Sequence, residues 1–278
     1  MSDSTDNKST DAGSYAFGHF DENQKELDRL KFQAATEREL EKGMLLKAGL
    51  REGMRVLDVA CGPGLVSCDI AQMVGSSGHV TGIDISPDLL IEARQVAQSR
   101  NINNVEFEQG NVYDLHLADN QYDFVYARFL FQHLEKPMEA LTQILKVLKP
   151  GGVLVIVDVD DDWLTVHPSI ETFDSFKRRA ARSQANRGGD RFIGRKLGSL
   201  LTQAGFEDAR VFVESVTSAS IGMKAFLDIT TGFKLEQLDQ SEKADGAKEQ
   251  EVIYQLISDP NAWGLVGVFV GLGIKPNA

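Results

Sequence analysis

Between residues 23 and 50 apolar side chains recur at helical spacing (Leu27, Leu30, Phe32, Ala34, Ala35, Leu40, Met44, Leu45), and Gly49 follows as a stop signal. The period then changes. MRVLDVA (54–60) is a short, continuously apolar, β-branched run that predicts a strand, with a helix following it through Met73. HVTGIDI (79–85) predicts a second strand. Residues 87–100 predict a helix with Ser86 as N-cap and Pro87 at its first position. VEFEQG (105–110) and YDFVYA (122–127) give a third and fourth strand. Residues 137–149 form a predicted helix stopped by Pro150-Gly151-Gly152, and VLVIVDV (153–159) is the fifth strand.

Strands that are apolar throughout and alternate with helices belong to a parallel sheet covered on both faces. Right-handed crossovers make it doubly wound. After Asp160 the pattern loosens. Residues 163–204 are predicted mostly helical with a break at Arg187-Gly188-Gly189, and EDARVFV (207–213) is a sixth strand. Residues 219–258 are helical and polar, with a charged stretch from Glu236 to Glu251. WGLVGVFVGLG (263–273) is a final strand whose glycines need a supporting sheet around them. The expected fold class is therefore α/β: a doubly wound, mostly parallel sheet of about seven strands, with helices on both faces and a helical lid. The expected organisation is a disordered stretch 1–14, a helical cap 15–50, a Rossmann-like core 51–218, a helical lid insertion 219–260 and a last core strand 261–278.

With 278 residues and 42% hydrophobic content, the chain can build one large core. No apolar run approaches the ~20 residues of a membrane span, so no membrane partner is expected. The opening MSDSTDNKSTDAGS lacks the apolar segment of a secretory signal. Cys61 and Cys68 are too few and too close for a disulfide framework and lack zinc-site spacing, which points to a reducing, cytoplasmic setting. A formal charge of -12, with no basic block longer than Lys177-Arg178-Arg179, argues against a nucleic-acid partner and leaves small-molecule chemistry. Asp158, Asp160, Asp161 and Asp162 read as a solvated loop rather than a metal cluster, and no metal is expected. Nothing specifies an oligomeric state; a homodimer stays open.

The first strand runs into Asp58-Val59-Ala60-Cys61-Gly62-Pro63-Gly64. A loop of small residues before a helix N-terminus lets a nucleotide-type ligand approach the backbone. The dinucleotide pattern Gly-x-Gly-x-x-Gly is not met, because Leu65 stands at its third glycine, and no Gly-Lys-Ser/Thr follows to make a phosphate loop. Twenty residues after Gly64 the second strand ends in Asp84, placed to accept from both hydroxyls of a ribose. The third strand ends in Gly110-Asn111-Val112. The fourth leads through Arg128 to Gln132-His133-Leu134, and Leu148-Lys149-Pro150-Gly151-Gly152 precedes the fifth.

Taken in order over about residues 54–158, these segments resemble the motifs of class I (Rossmann-like) S-adenosylmethionine-dependent methyltransferases of the small-molecule type. In that family's first motif, acidic-x-Gly-x-Gly-x-Gly, Asp58, Gly62 and Gly64 match and Ala60 replaces the first glycine. The resemblance implies S-adenosylmethionine as cofactor and methyl transfer to an O, N or C atom of a small-molecule acceptor. It implies that Asp58, Ala60, Cys61, Gly62 and Gly64 surround the methionine moiety, that Asp84 binds the ribose and that Ile85 flanks the adenine. Asn111 stands where the family usually has an acid, its amide oxygen still able to accept from the adenine amino group, with the Val112 N–H donating to a ring nitrogen. Arg128 falls in the fourth motif. Tyr15 and Gln33 resemble N-terminal residues that fold over the methionyl end.

His133 and His167 are the candidate general bases, while His19, His79 and His116 read as surface residues. Trp163, Phe173 and Phe176 line an acceptor pocket or, equally, a helix core. The lid is expected to order over the acceptor, so that deleting 222–258 would spare cofactor binding. Two alternatives stay open: a non-methylating cofactor-binding protein, and a nucleotide-dependent oxidoreductase.

Overall fold

A computed structural model describes residues 14, 15 and 23–277; His19 and the lead-in 1–13 lie outside them. The chain begins with α1 (Asn23–Lys47), then β1 (Arg55–Val59), α2 (Leu65–Val74), β2 (His79–Asp84), α3 (Pro87–Ser99) and β3 (Val105–Gln109). It continues through β4 (Tyr122–Arg128), α4 (Pro137–Val147), β5 (Leu148–His167), α5 (Glu171–Ala185), α6 (Leu197–Gln203) and β6 (Glu207–Thr217). Short helices α7 (Ser218–Ile221), α8 (Met223–Leu227) and α9 (Lys234–Gln237), with a π-helical turn Asp228–Gly232 between the last two, lead to α10 (Lys243–Tyr254). The closing strand is β7 (Trp263–Ile274).

The sheet order is β3-β2-β1-β4-β5-β7-β6. The first five strands are parallel, and β7 inserts antiparallel between β5 and β6. That position answers the question its glycines raised, since a strand paired on both sides tolerates them. Several make room for neighbours: a Cβ on Gly264 would sit 2.4 Å from the Phe226 ring. Alternate strand residues feed two layers of core. Val56, Phe124, Val155 and Val157 pack with α1, α2 and α5, whereas Leu57, Val59, Val125 and Ile156 pack with α4 and α6. Ser86 caps α3 as expected, its hydroxyl accepting from Leu89 N–H at 3.3 Å.

Two expectations are corrected. The fifth strand does not stop at residue 159 but runs to His167, with a register shift between Val159 and Leu164, so residues 163–167 are strand rather than helix. The acidic run lies within it and is not a solvated loop: Asp158, Asp160 and Asp161 are buried. Two are compensated from far along the chain, Asp160 by Arg195 and Asp161 by both Arg191 and Lys234, while Asp158 accepts the Gln132 and Val159 N–H groups.

The segment 219–260 is helical as expected, yet it is no loose flap. Phe226, Leu227, Leu238 and Ile253 are buried in the same core layer as the strands. Deleting 222–258 would remove these side chains from that layer and leave the strands beneath it uncovered. Among the described residues no helix is long and apolar enough to cross a membrane.

Candidate functional site

The carboxyl ends of β1, β2 and β4 open onto a cavity of about 240 Å³, closed above by α1 and by the π-helical turn. After β1 the backbone alternates through left-handed conformations at Ala60 (φ 59°), Gly62 (φ 54°) and Gly64 (φ 72°). The turn is held by Cys61 N–H donating to the Ile83 carbonyl at 2.9 Å and Gly64 N–H to the Cys61 carbonyl at 3.0 Å. Gly62 lines the cavity, and a Cβ built on it meets nothing within 4 Å. Its missing side chain is open space.

Gly64 has a different task from the one its motif implied. It does not line the cavity; a Cβ there would lie 2.7 Å from the Ala93 Cβ and 2.8 Å from the Phe107 ring. Its bareness lets α2 and the first loop seat against α3 and β3.

Two carboxylates sit beside the loop, Asp84 and Asp58. Asp84 accepts the Gly62 N–H on one oxygen and the Ser86 N–H on the other, each at 2.9 Å. A carboxylate has about four acceptor sites, and with the Ile85 N–H as a third backbone donor Asp84 still retains capacity for a ligand. Burial pushes its pKa up, and the backbone donors of Ser86 and Gly62 oppose the rise. Asp58 accepts the Ser67 hydroxyl at 2.5 Å, and burial pushes it up to about 7. Ala60, Cys61, Ile85, Asn111 and Val112 also line the cavity. The Asn111 amide oxygen already accepts the Tyr113 N–H at 3.0 Å, which leaves it one further acceptor site.

The roof comes from Tyr15 and α1. The Tyr15 hydroxyl donates to Glu26 at 2.8 Å, and its ring centroid is 5.2 Å from that of His133. Arg29 forks onto Glu26 and donates to the Gln33 side chain at 3.0 Å; all of Tyr15, Arg29 and Gln33 reach the cavity. Arg128 also lines it, but its guanidinium is engaged by Glu37 and Glu41, which fastens α1 to β4. Arg128 is therefore a strut with its charge already neutralised.

His133 faces the cavity, and the geometry opposes its expected role as a base. Its Nδ1 receives the Gln184 amide N–H at 3.3 Å, and Ser14 Oγ lies 2.9 Å from the same atom. An accepting Nδ1 leaves the proton on Nε2, so the neutral ring offers a donor instead of a free lone pair. Burial, and then Arg191, Arg29 and Arg187, press its pKa down to about 3. We expect the His133 ring signals in NMR to stay constant as pH falls from neutral to about 4; a titration near the ordinary imidazole value of about 6.5 would restore it as a candidate base.

His167 is exposed at the end of β5, opposite Trp263, and does not line the cavity. Trp163 stacks edge-on against Phe269 outside the cavity, while Phe173 and Phe176 are core.

The part of the site that the sequence left unread is the far wall, where Asp161, Arg191, Phe233 and Gln132 meet. Arg191 donates to Asp161 through Nη2 (2.7 Å) and Nε (3.1 Å) and also to the Gln132 side chain, and Lys234 Nζ reaches Asp161 at 2.6 Å. No local period pointed to it: Leu164 and Val166 alternate with exposed Trp163, Thr165 and His167, a period that would turn Asp161 outward, and Asp161 joins the wall only because the register is interrupted between Val159 and Leu164.

Compared with known proteins, residues 50–205 match the family described as methyltransferase domain. An uncharacterised 37.1 kDa protein in transposon Tn4556 of Streptomyces fradiae is 35% identical over 59% of this chain and 46% of its own length. The demethylmenaquinone methyltransferase of Listeria welshimeri is 37% identical over 39% of this chain and 46% of its own. The chain thus spans about half the length of the curated relatives it matches. Among solved structures, a SAM-dependent methyltransferase from Aquifex aeolicus superimposes with a TM-score of 0.51 at 21% identity, covering 87% of this chain and 97% of that one. The cyclase SpnF gives 0.59 at 23%, covering 88% and 83%. Likeness at these identities speaks for the fold alone.

Proposed function

The chain belongs to the methyltransferase-domain family, and from that membership we propose that it binds S-adenosylmethionine in this cavity and moves the methyl group to a small-molecule acceptor. The observation that carries the proposal is the pairing of Gly62's open side-chain direction with the buried Asp84 carboxylate, both on one wall. Asp84 would take the ribose hydroxyls, and Ala60, Cys61 and Gly62 would leave room for the methionine moiety beside Asp58. Ile85, Asn111 and Val112 would border the adenine. Tyr15 and Gln33 would cover the methionyl end, with Arg128 holding the helix of Gln33 in place.

The bound cofactor supplies an electrophilic methyl group on a sulfonium centre. The protein's share is to align the acceptor and to exclude water, which converts a bimolecular encounter into a near-attack arrangement. Ile229, Phe233, Leu134 and Tyr15 form the enclosing surface. His133, as a neutral donor, orients an acceptor oxygen or nitrogen and does not remove its proton. We also propose a cytoplasmic setting, in keeping with Cys61 and Cys68, both buried free thiols.

Calorimetric titration with S-adenosylhomocysteine tests the binding, and transfer of label from S-adenosylmethionine into metabolite extracts separates methyl transfer from binding without turnover. Stabilisation by NADH in place of S-adenosylhomocysteine would favour the oxidoreductase alternative. In Asp84→Ala the affinity for S-adenosylhomocysteine should fall by about 1.5–3 kcal/mol, the range for hydrogen bonds to a charged group. Unchanged affinity in a folded variant would remove Asp84 from the site.

A further inference from the structure

Arg191, Asp161 and Lys234 form a cluster that cofactor binding as proposed does not use. Asp161 arrives on β5 within its register shift, Arg191 on the loop before α6, and Lys234 at the start of α9. Their side chains are 2%, 5% and 1% exposed, so solvent cannot compensate an imbalance among them. There is an imbalance: two cations share one carboxylate. Among the described residues no other acidic side chain lies at ion-pair distance from either cation; Asp158, which also feels Arg191, is raised by burial to about 7 and spends its oxygens on the Gln132 and Val159 N–H groups, and the Gln132 oxygen that Arg191 meets is neutral. Arg29 adds nothing to the excess, because Glu26 balances it.

Independent features mark the same excess. The Phe233 ring, on the cavity wall, has Arg29, Arg191 and Lys234 at 4.9, 5.3 and 5.4 Å from its centroid, using its negative face where a carboxylate would serve better. Burial and then Arg191 press the Lys234 ammonium down to about 7 against the pull of Asp161. Nearby, Arg191 helps keep the His133 ring neutral. Around this point the wall is apolar, built by Leu134, Leu164, Ile229, Val266 and Val268.

We propose that the acceptor is a small, largely apolar molecule bearing one acidic group, bound as its anion against the Arg191 end of the cavity, with Lys234 behind the wall adding its charge through Asp161, a substrate class that presupposes the methyl-transfer reading above. The acid supplies the counter-charge that the protein withholds, and the apolar walls take the remainder of the molecule. Asp161 sets the spacing of the two cations and keeps a neutral acceptor from gaining the same contact.

The test uses the full chain saturated with S-adenosylhomocysteine. Naphthoate, cinnamate and phenylacetate are titrated by calorimetry against their carboxamides, which keep the shape and lose the charge. At least one acid should bind about tenfold or more tighter than its amide, as one charge-assisted hydrogen bond provides. Lys234→Met leaves Asp161 and Arg191 as a balanced pair, so its fold should hold while acid and amide converge to within about twofold. Lys234→Arg keeps the charge and should keep the preference. In both variants S-adenosylhomocysteine affinity should match the parent.

Equal binding of acid and amide across all pairs, or no binding of any acid, overturns the proposal. So does a Lys234→Met variant that loses S-adenosylhomocysteine affinity while the parent shows no acid preference, because the excess charge would then serve the cofactor's own carboxylate. A parent protein that does not bind S-adenosylhomocysteine at all defeats the methyl-transfer reading first, an outcome visible before any acid is added.

Discussion

Gly62→Val is expected to abolish S-adenosylhomocysteine binding in a protein that still melts cooperatively. Position 62 has φ 54°, a conformation that costs an L-residue roughly 1–2 kcal/mol and a β-branched one somewhat more. A loss of about 2 kcal/mol is tolerable for a domain whose stability is about 5–15 kcal/mol. No neighbour would be struck, since the Cβ direction is clear for 4 Å. The valine methyls would instead occupy the space into which that direction points, between the first loop and Asp84. Gly64→Val makes the contrast, because its side chain would collide with Ala93 and Phe107 and the damage would appear as lost stability. Calorimetry and thermal melting of the two variants distinguish the tasks. Normal affinity in Gly62→Val would mean that the cofactor lies elsewhere.

Asp161→Asn should be among the most destabilising single substitutions in the chain, costing about 3–5 kcal/mol and lowering the melting point by about 6–15 °C. The change is nearly isosteric, so the loss is electrostatic: Arg191 remains buried without a counter-charge, and Lys234, already pressed down to about 7, loses the carboxylate that holds its proton. Burial raises the Asp161 carboxyl, but Arg191 and Lys234 outweigh it and hold the group below the ordinary carboxylate range. Its contribution is therefore complete above about pH 4, the value for an unfolded aspartate, and is lost as pH falls further. The parent and the variant should converge in acid and diverge toward neutral pH. Asp58 and Asp158, raised by burial to about 7, work in the opposite sense but are common to both proteins and cancel in the difference. Adding Lys234→Met should return about 1–3 kcal/mol. A loss below about 1 kcal/mol in Asp161→Asn would show that the cluster is hydrated and weakly coupled.

The parallel half of the fold was legible because its central strands are apolar on both faces and the start of α3 is marked by local chemistry at Ser86; Pro150 misled, since β5 already begins at Leu148 and contains it. Asp84 could be placed for a similar reason, since strand length and loop size set its distance from the glycine loop. The far wall was not legible. Four aspartates in five residues look solvated to any local view, and what compensates two of the three buried ones, Asp160 and Asp161, is Arg191, Arg195 and Lys234, 30 or more residues away in sequence, while Asp158 is met by the Gln132 and Val159 N–H groups. His167 was misjudged with them: a strand extended past Asp160 carries it out to the exposed end of β5. Gly64 shows a subtler limit, because a motif records that a side chain is forbidden without saying whether a ligand or a helix forbids it.

The place of β7 has a consequence for how the molecule is made. It is the last of the seven strands to be synthesised, yet it lies inside the sheet. Until it is inserted, β6 has no partner and one edge of β5 stays open. A nascent chain on the ribosome thus holds a long, unprotected strand edge, the kind of surface that chaperones cover and that pairs wrongly between molecules. Val266 and Val268, which complete the cavity, arrive with that strand. The pocket is therefore finished only when synthesis of the sheet is over, and a bound ligand can reward the final docking of β7 but cannot guide the earlier steps.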